Sequence, residues 1–321
     1  SDFKQTGQPD SDPTLFAEAV VSINGVLIKR KLPIIYKWVD PVKGELIRRV
    51  EVVPSLRGFP SQKVAVSNGK SDITVDLNIE YLQDSLEGEI FLKFPDNKGI
   101  QVLPERISIP KKRKGKEIVS FTIRMKPSRE VKMPFTFPIE AYFSKKGKNV
   151  PELILQTKRI EHDHIPTQTY HEPCAFNFTY TDLEKSVSKI GYIEGAGDDV
   201  AEALQSAGYS VEILDDAKIR NLQPSDFQAV VVGIRALNSV EQMAEWMPIL
   251  LEYTKNGGTL IMQYNTKNWI SDVKVNPGPF PFEISRNRET NEKSAVKNLK
   301  PEHPLFNYTT KITNSYFEGW V

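Results

Sequence analysis

The residues of this chain that could do chemistry gather in its last two-fifths, each group at the end of a short apolar run. Glu194-Gly195-Ala196-Gly197-Asp198-Asp199 follows Lys189 to Ile193. Arg235-Ala236-Leu237-Asn238 follows Phe227 to Ile234, and Gln263-Tyr264-Asn265-Thr266 ends the run that starts at Thr259. In an open parallel sheet, loops and helix amino termini converge beyond the carboxyl ends of the strands, and ligands bind there. Glu194, Asp198, Arg235, Tyr264 and Asn265 are therefore expected at one edge. Acceptors, a fixed cation and an aromatic face suit a small polar, hydroxylated ligand. Arg286 and Arg288 come from a later loop that the Pro277-Gly278-Pro279 approach could fold over the same edge, with solvent exposure as the alternative.

Each feature has a plainer reading beside it. The Gly-x-Gly turn could cradle phosphate, but three flanking carboxylates would repel an anion, and a tight turn with Asp198 or Asp199 capping the next helix serves equally. Arg235 could hold a carboxylate or phosphate by two hydrogen bonds, or form a structural pair with Glu194 or Asp198. No Gly-x-Ser-x-Gly or Gly-x-Cys-x-Gly turn occurs, so a nucleophile on a strand-to-helix elbow is missing. Cys174, the single cysteine, sits beside Pro173 and reads as incidental; alone, it excludes an internal disulfide framework. His162, Asp163, His164 and His171 have metal-like composition but fall in a stretch that guarantees no ligand geometry. His303, in Pro301-Glu302-His303-Pro304, stabilises a turn unless it faces the crevice. The basic run Lys111 to Lys116 lacks aromatic platforms and reads as a solvated hairpin tip rather than a nucleic-acid site.

The elements that must position these groups divide the chain. Its 321 residues are a prior for two or three domains. With 42 basic against 41 acidic residues and a net charge of +1, no global field favours nucleic acid or an anionic membrane. Ser1 to Asp12 is polar and no long apolar run occurs, so neither an uncleaved signal peptide nor a membrane span is expected. The chain opens on Ser and stops on Glu318-Gly319-Trp320-Val321, and reads as a piece of a longer protein.

Residues 1–53 carry a polar start and strands of a β-sheet domain. Asn24-Gly25 there joins Leu15 to Ile23 with Val26 to Leu32 in a tight hairpin. Residues 54–161 hold repeated strand signals, among them Ile73 to Tyr81 with strict alternation, and predict an antiparallel immunoglobulin-like sandwich. Residues 162–185, rich in Pro, Thr and His, predict a linker. Residues 186–321 alternate strands with helices and predict an α/β domain with a parallel sheet, truncated at its C-terminus. The expected fold is thus multidomain, an all-β sandwich followed by α/β.

Several strings occur together: Lys189-Ile190-Gly191-Tyr192-Ile193-Glu194-Gly195-Ala196-Gly197-Asp198, Val231-Val232-Gly233-Ile234-Arg235-Ala236, Gly257-Gly258-Thr259-Leu260, Gly278-Pro279-Phe280-Pro281-Phe282 and Phe317-Glu318-Gly319-Trp320-Val321. Upstream stand Tyr36-Lys37-Trp38-Val39-Asp40-Pro41 and His164-Ile165-Pro166-Thr167-Gln168-Thr169. In this order they resemble the middle and C-terminal regions of long bacterial PIG-L (LmbE-like) deacetylases. The resemblance implies a zinc-dependent N-deacetylase domain elsewhere in a parent protein, periplasmic or secreted, with that domain as an intrachain partner. The family's His-Pro-Asp-Asp string and later His-x-x-His pair are absent here, so no cofactor is expected in this chain and no histidine inherits a zinc-ligand role. The last domain resembles flavodoxin-like, class I glutamine amidotransferase-like folds of the ThuA-like group, without their cysteine. The resemblance therefore implies a non-catalytic accessory region that binds a glycan or small polar ligand or packs against the deacetylase domain. The alternatives are a hydrolase or isomerase of a sugar derivative working through Glu194, Asp198 and His303, or a purely structural module.

Overall fold

The computed structural model describes residues 14–95, 99–126, 134–162, 164–185, 187–267, 273, 275–291, 293–308 and 310–317. Ser1 to Asp12, Asp163 and Glu318 to Val321, which entered the sequence expectations, lie outside the described residues. The protein is β-rich and multidomain, and its chain divides into two compact units at 186/187, with 202–208 grouping with the first. Among the described residues no helix is long and apolar enough to cross a membrane.

The first unit opens with two antiparallel hairpins. β1 (Phe16–Ile23) and β2 (Val26–Pro33) meet across Asn24-Gly25. Both turn residues have positive φ, 51° and 80°, the geometry whose twist matches flanking strands. β3 (Ile35–Asp40) and β4 (Gly44–Arg49) form the second hairpin. Its turn is held by the Asp40 carboxylate, which accepts the Val42 and Lys43 amides at 2.8 Å each.

Twelve strands then build two six-stranded sheets. In chain order they are β5 (Leu56–Pro60), β6 (Val64–Ser67), β7 (Ile73–Tyr81), β8 (Leu86–Lys93), β9 (Ile100–Leu103), β10 (Ile107–Lys112), β11 (Gly115–Met125), β12 (Phe135–Lys145), β13 (Glu152–Leu153), β14 (Leu155–His162), β15 (Ile165–Pro173) and β16 (Ala175–Tyr180). One sheet runs β10-β8-β12-β16-β6 with β13 on β12, the other β15-β14-β5-β7-β11-β9. Alternation explains why both have one apolar face: Val75, Leu77, Ile79 and Tyr81 of β7 are buried while their neighbours are less so. Those side chains join Ile90, Phe121, Ile139 and Phe178 in one cluster between the sheets. The pairing is antiparallel except where β14 meets β5 and β16 meets β6, which lays late strands of the two sheets parallel to the first strand of each.

Two sequence expectations are corrected here. The linker expected at 162–185 is mostly strand. β15 lies at a sheet edge with only β14 beside it, and this explains its polar composition. β16 is internal, and its Phe176, Phe178 and Tyr180 point into the core. Cys174 is likewise core rather than linker, 1% exposed, its thiol pushed up to about 12 by burial, which makes it a poor nucleophile. The basic run 111–116 is no hairpin tip, because β10 pairs with β8 in one sheet and β11 with β7 and β9 in the other. It is the corner where the chain changes sheets, with Lys112 Nζ 2.7 Å from Glu117 Oε2.

The second unit is α/β. Its elements are β17 (Lys189–Ile193), the start of α1 (Val200–Ser206, whose residues from Glu202 on group with the first unit), β18 (Ser210–Ile213), α2 (Asp216–Arg220), β19 (Ala229–Val232), α3 (Ala236–Ser239), α4 (Met243–Lys255), β20 (Leu260–Met262) and α5 (Pro304–Asn307). All four strands are parallel, in the order β18-β17-β19-β20. β19 is buried throughout, as an internal strand covered on both faces must be. Val230, Val232, Met247 and Leu250 belong to its apolar cluster.

If 165–180 is integral to the sandwich, Phe178→Ala should cost about 3–5 kcal/mol in denaturant unfolding of the first unit, as for a large buried aromatic. A loss below about 1 kcal/mol, the range of surface substitutions, would restore the linker.

Candidate functional site

The parallel sheet places the ends of β17, β19 and β20 side by side, and hydrogen bonds carry the pairing past the strands. The Gly233 amide donates to Ile193 O at 2.8 Å and the Ala196 amide to Ile234 O at 2.8 Å. The two loops can lie this close only because Cβ atoms are missing: one on Gly195 would stand 2.1 Å from Ile234 O, and one on Gly233 2.8 Å from Ile193 O. Gly197 has a different task, a φ of 92° that turns the chain toward α1. The Gly-x-Gly pair therefore shapes the backbone here.

Asp198 ties the edge together. Its Oδ1 accepts the Tyr192 hydroxyl at 2.6 Å and the Val200 amide at 3.0 Å, while Oδ2 accepts the Ile234 amide at 3.1 Å. Partial burial raises the carboxyl's pKa, but the bonds from Tyr192, Val200 and Ile234 together outweigh it and hold the group below the usual carboxylate range. Tyr192 is shifted upward, by burial first and by its bond to Asp198 second. Tyr192 hid from sequence reasoning, since a tyrosine inside an apolar strand looks like core. Its spacing of six residues from Asp198, across a Gly-x-Gly turn, was the available signal.

Arg235 follows β19 in the left-handed region, φ 54° and ψ 23°, immediately before α3. This conformation disfavours side chains other than Gly, Asn and Asp, and residues held in it mark positions the surroundings over-determine. Its amide donates to Tyr264 O at 2.7 Å, and its carbonyl accepts the Ser239 amide and hydroxyl at 3.0 Å each. The side chain is exposed, and among the described residues it forms no ion pair with Glu194 or Asp198.

The loop after β20 divides its polar residues between structure and surface. Asn265, 6% exposed, accepts the Leu237 amide at 3.0 Å and donates to Gln263 O at 2.9 Å, so it fastens the start of α3. Asn238 and the Thr266 main chain exchange bonds of 2.9 and 2.7 Å, a link that sequence spacing did not reveal. Tyr264 remains half-exposed, and Arg288 stands with its guanidinium carbon 5.8 Å from that ring's centroid. Arg288 also donates to Thr266 Oγ1 at 2.7 Å, which brings the later loop to this edge.

Of the remaining expected residues, Glu194 and Arg286 are exposed. His303 caps α5, its Nδ1 accepting the Leu305 amide at 3.2 Å. The histidines of the first unit are spread over β14, the turn after it and β15: the His162 and His164 rings are 5.6 Å apart, and His171 shares a 3.0 Å bond with Thr157. Among the described residues no group of three or more His, Cys, Asp and Glu is placed to hold a metal.

Two clefts lie beside this edge. One of about 360 Å³ is bounded by Leu237, Asn238, Glu241 and Val275, and one of about 670 Å³ by Lys267, Asn276, Phe282 and Glu283. Neither of the two is lined by Arg235 or Tyr264.

Comparison with known proteins adds little. No family model matches the chain, and no curated protein matches it significantly. Solved structures overlap only in part. WR4, a Caenorhabditis elegans MSP family member, is 12% identical with a TM-score of 0.22, over 39% of this chain and 97% of that one. SSP-19, an MSP-domain protein like family member of the same organism, is 6% identical at TM-score 0.22, over 38% and 98%. A protein described as carbohydrate binding, from Bacteroides ovatus, is 8% identical at TM-score 0.22, over 41% and 38%. At that TM-score the likeness decides neither fold nor ligand.

The Asp198 bridge gives a test with a defined sign. A carboxylate whose folded pKa is lowered contributes stability above its unfolded value, about 3.9, and loses it as pH falls through the folded value. Asp198→Asn should therefore be less stable than the wild type at pH 7, with the gap constant down to about pH 4 and closing below it. Equal stability at pH 7, measured by urea unfolding, would remove the carboxylate from its bridging role.

Proposed function

We propose that the second unit is a non-catalytic binding domain for a small hydroxylated ligand, held at the strand-end edge by Arg235, Tyr264 and Arg288. The parallel order β18-β17-β19-β20 supports a flavodoxin-like, glutamine amidotransferase-like reading of this unit, as two sheets sharing one apolar cluster support an immunoglobulin-like reading of the first. Within that reading the chain is an accessory region of a PIG-L-like N-acetyl sugar deacetylase, and the ligand is a glycan of the kind such an enzyme acts on.

One observation carries the proposal: the strained position after β19 presents an exposed arginine. A guanidinium is always charged and cannot serve as nucleophile or base, but it is an efficient fixed donor to hydroxyls and carboxyls. Two of the three groups that the catalytic alternative would use are engaged in structural bonds. Asp198 carries three hydrogen bonds, and His303 holds a helix end. The ligand-facing set is then an arginine locked by its backbone, a half-exposed ring for a sugar face to stack on, and a second arginine against that ring.

The test is a heteronuclear NMR titration of the whole chain with the N-acetylglucosamine disaccharide. Shifts should concentrate at Arg235, Tyr264 and the Glu194 to Gly197 turn, with affinity reduced about tenfold or more in Arg235→Ala, while the thermal transition is unchanged. Binding unaffected by Arg235→Ala, or release of acetate from the disaccharide lost in Asp198→Asn, would replace the proposal with a different site or with an enzyme.

A further inference from the structure

The β1–β2 hairpin is the most exposed apolar element of the first unit, and its register shows it to be two-faced. Ala17–Leu32, Ala19–Arg30, Val21–Ile28 and Ile23–Val26 share one side. Phe16–Pro33, Glu18–Lys31, Val20–Lys29 and Ser22–Leu27 share the other. The first side is apolar apart from Arg30, yet its Val21, Ile23, Val26, Ile28 and Leu32 are all at least 44% exposed. A two-stranded ribbon is marginal alone, and three or more strands with an apolar face are needed for independent stability. The sheet ends at these two strands among the described residues, so both outer edges are open.

The two edges are not equivalent. Around the two-residue turn, Ile23 and Val26 form the closing hydrogen-bonded pair, and the alternation beyond it points the main-chain groups of Phe16, Glu18, Val20 and Ser22 away from β2. Along β2 the run Lys29-Arg30-Lys31 guards the edge. Antiparallel pairing of β2 with a copy of itself centred on Lys29 or Arg30 would set like charges directly opposite, which is destabilising. β1 carries one charge, Glu18, in eight residues.

We propose that two copies of this chain pair through β1, antiparallel about a two-fold axis at Val20, into one four-stranded sheet in the order β2-β1-β1-β2. This register sets Val20 against Val20 and Glu18 against Ser22 of the second copy, joining the outward-pointing main-chain groups of both strands. On the apolar side, Ala17 and Ala19 face Ile23 and Val21 of the second copy. Small residues thus meet large ones along the whole edge, and no like charges are opposed. The joined sheet doubles the width of the apolar face and satisfies the edge that β1 leaves open. An isologous contact of this kind closes on itself and stops at two copies.

Sedimentation velocity of the purified chain, from low micromolar to sub-millimolar, tests the pairing. The wild type should show a concentration-dependent monomer–dimer equilibrium. Val20→Pro deletes an outward N–H without touching the β2 ladder and should abolish the dimer, with an unchanged far-ultraviolet circular dichroism spectrum. Val20→Glu keeps every amide and faces Lys29 across its own hairpin as an opposite charge, but opposes two carboxylates on the axis. It should weaken the dimer about tenfold at low salt, with partial recovery at high salt. If Val20→Pro does not fold, Val20→Glu alone decides. A wild type monomeric at every concentration, or a dimer that survives the folded Val20 variants, overturns the proposal and leaves the apolar face to another occupant.

Discussion

The second unit depends on how closely two strand-end loops approach, and one carboxylate holds that approach in place. Asp198 accepts a hydroxyl from inside β17, an amide at the start of α1 and an amide beyond β19. Without the missing Cβ atoms at Gly195 and Gly233 the loops could not meet, and without the carboxylate the Ile234 amide would lose its partner. From that fixed point the chain enters Arg235 in its left-handed conformation, and the Arg235 amide ties the β20 loop to the same edge. Positioning and recognition are thereby separated: hydrogen-bonded groups, Asp198 with buried Tyr192 and Asn265, build the edge, while exposed Arg235 and Tyr264 are presented by it. Preorganisation of this kind reduces the ordering cost of binding.

The first unit solves another problem. Its two large sheets bury their apolar faces against each other, and each carries its first strand parallel to a late one. The two hairpins that precede them have apolar residues at strand spacing but mostly exposed side chains. The contrast between a closed sandwich and open ribbons within one unit leaves the hairpins with apolar side chains that would gain from burial.

Local chemistry made some of this legible in the sequence. Asn24-Gly25 specifies a hairpin by its conformational preference alone, and Lys189 to Ile193 reads as a buried strand by composition. The end of α4 at Lys255 is marked by Asn256-Gly257 just beyond it, where glycine supplies a positive φ of 101°. Long-range context decided the rest. β15 reads as linker because an edge strand with one neighbour can be polar throughout, although the alternation of Phe176, Phe178 and Tyr180 in the next strand is visible. Convergence of Asp198, Arg235 and Tyr264 on one edge comes from the parallel topology. The division of labour does not: Asn265 resembles a ligand-facing amide in sequence, yet its oxygen accepts the Leu237 amide, and Tyr192 resembles core, yet its hydroxyl binds Asp198. Such roles depend on the partner each side chain meets in the folded chain, which periodicity does not encode.

The central claim is that the strand-end edge is assembled before any ligand arrives. Native-state amide hydrogen exchange, read residue by residue, measures this directly. In the free protein the Ala196, Gly233, Ile234 and Arg235 amides should exchange as slowly as those of β19 itself. Exchange of Ile234 and Arg235 at the rate of unprotected amides, while β19 stays protected, would show loops that are unformed until occupied, and would contradict the account.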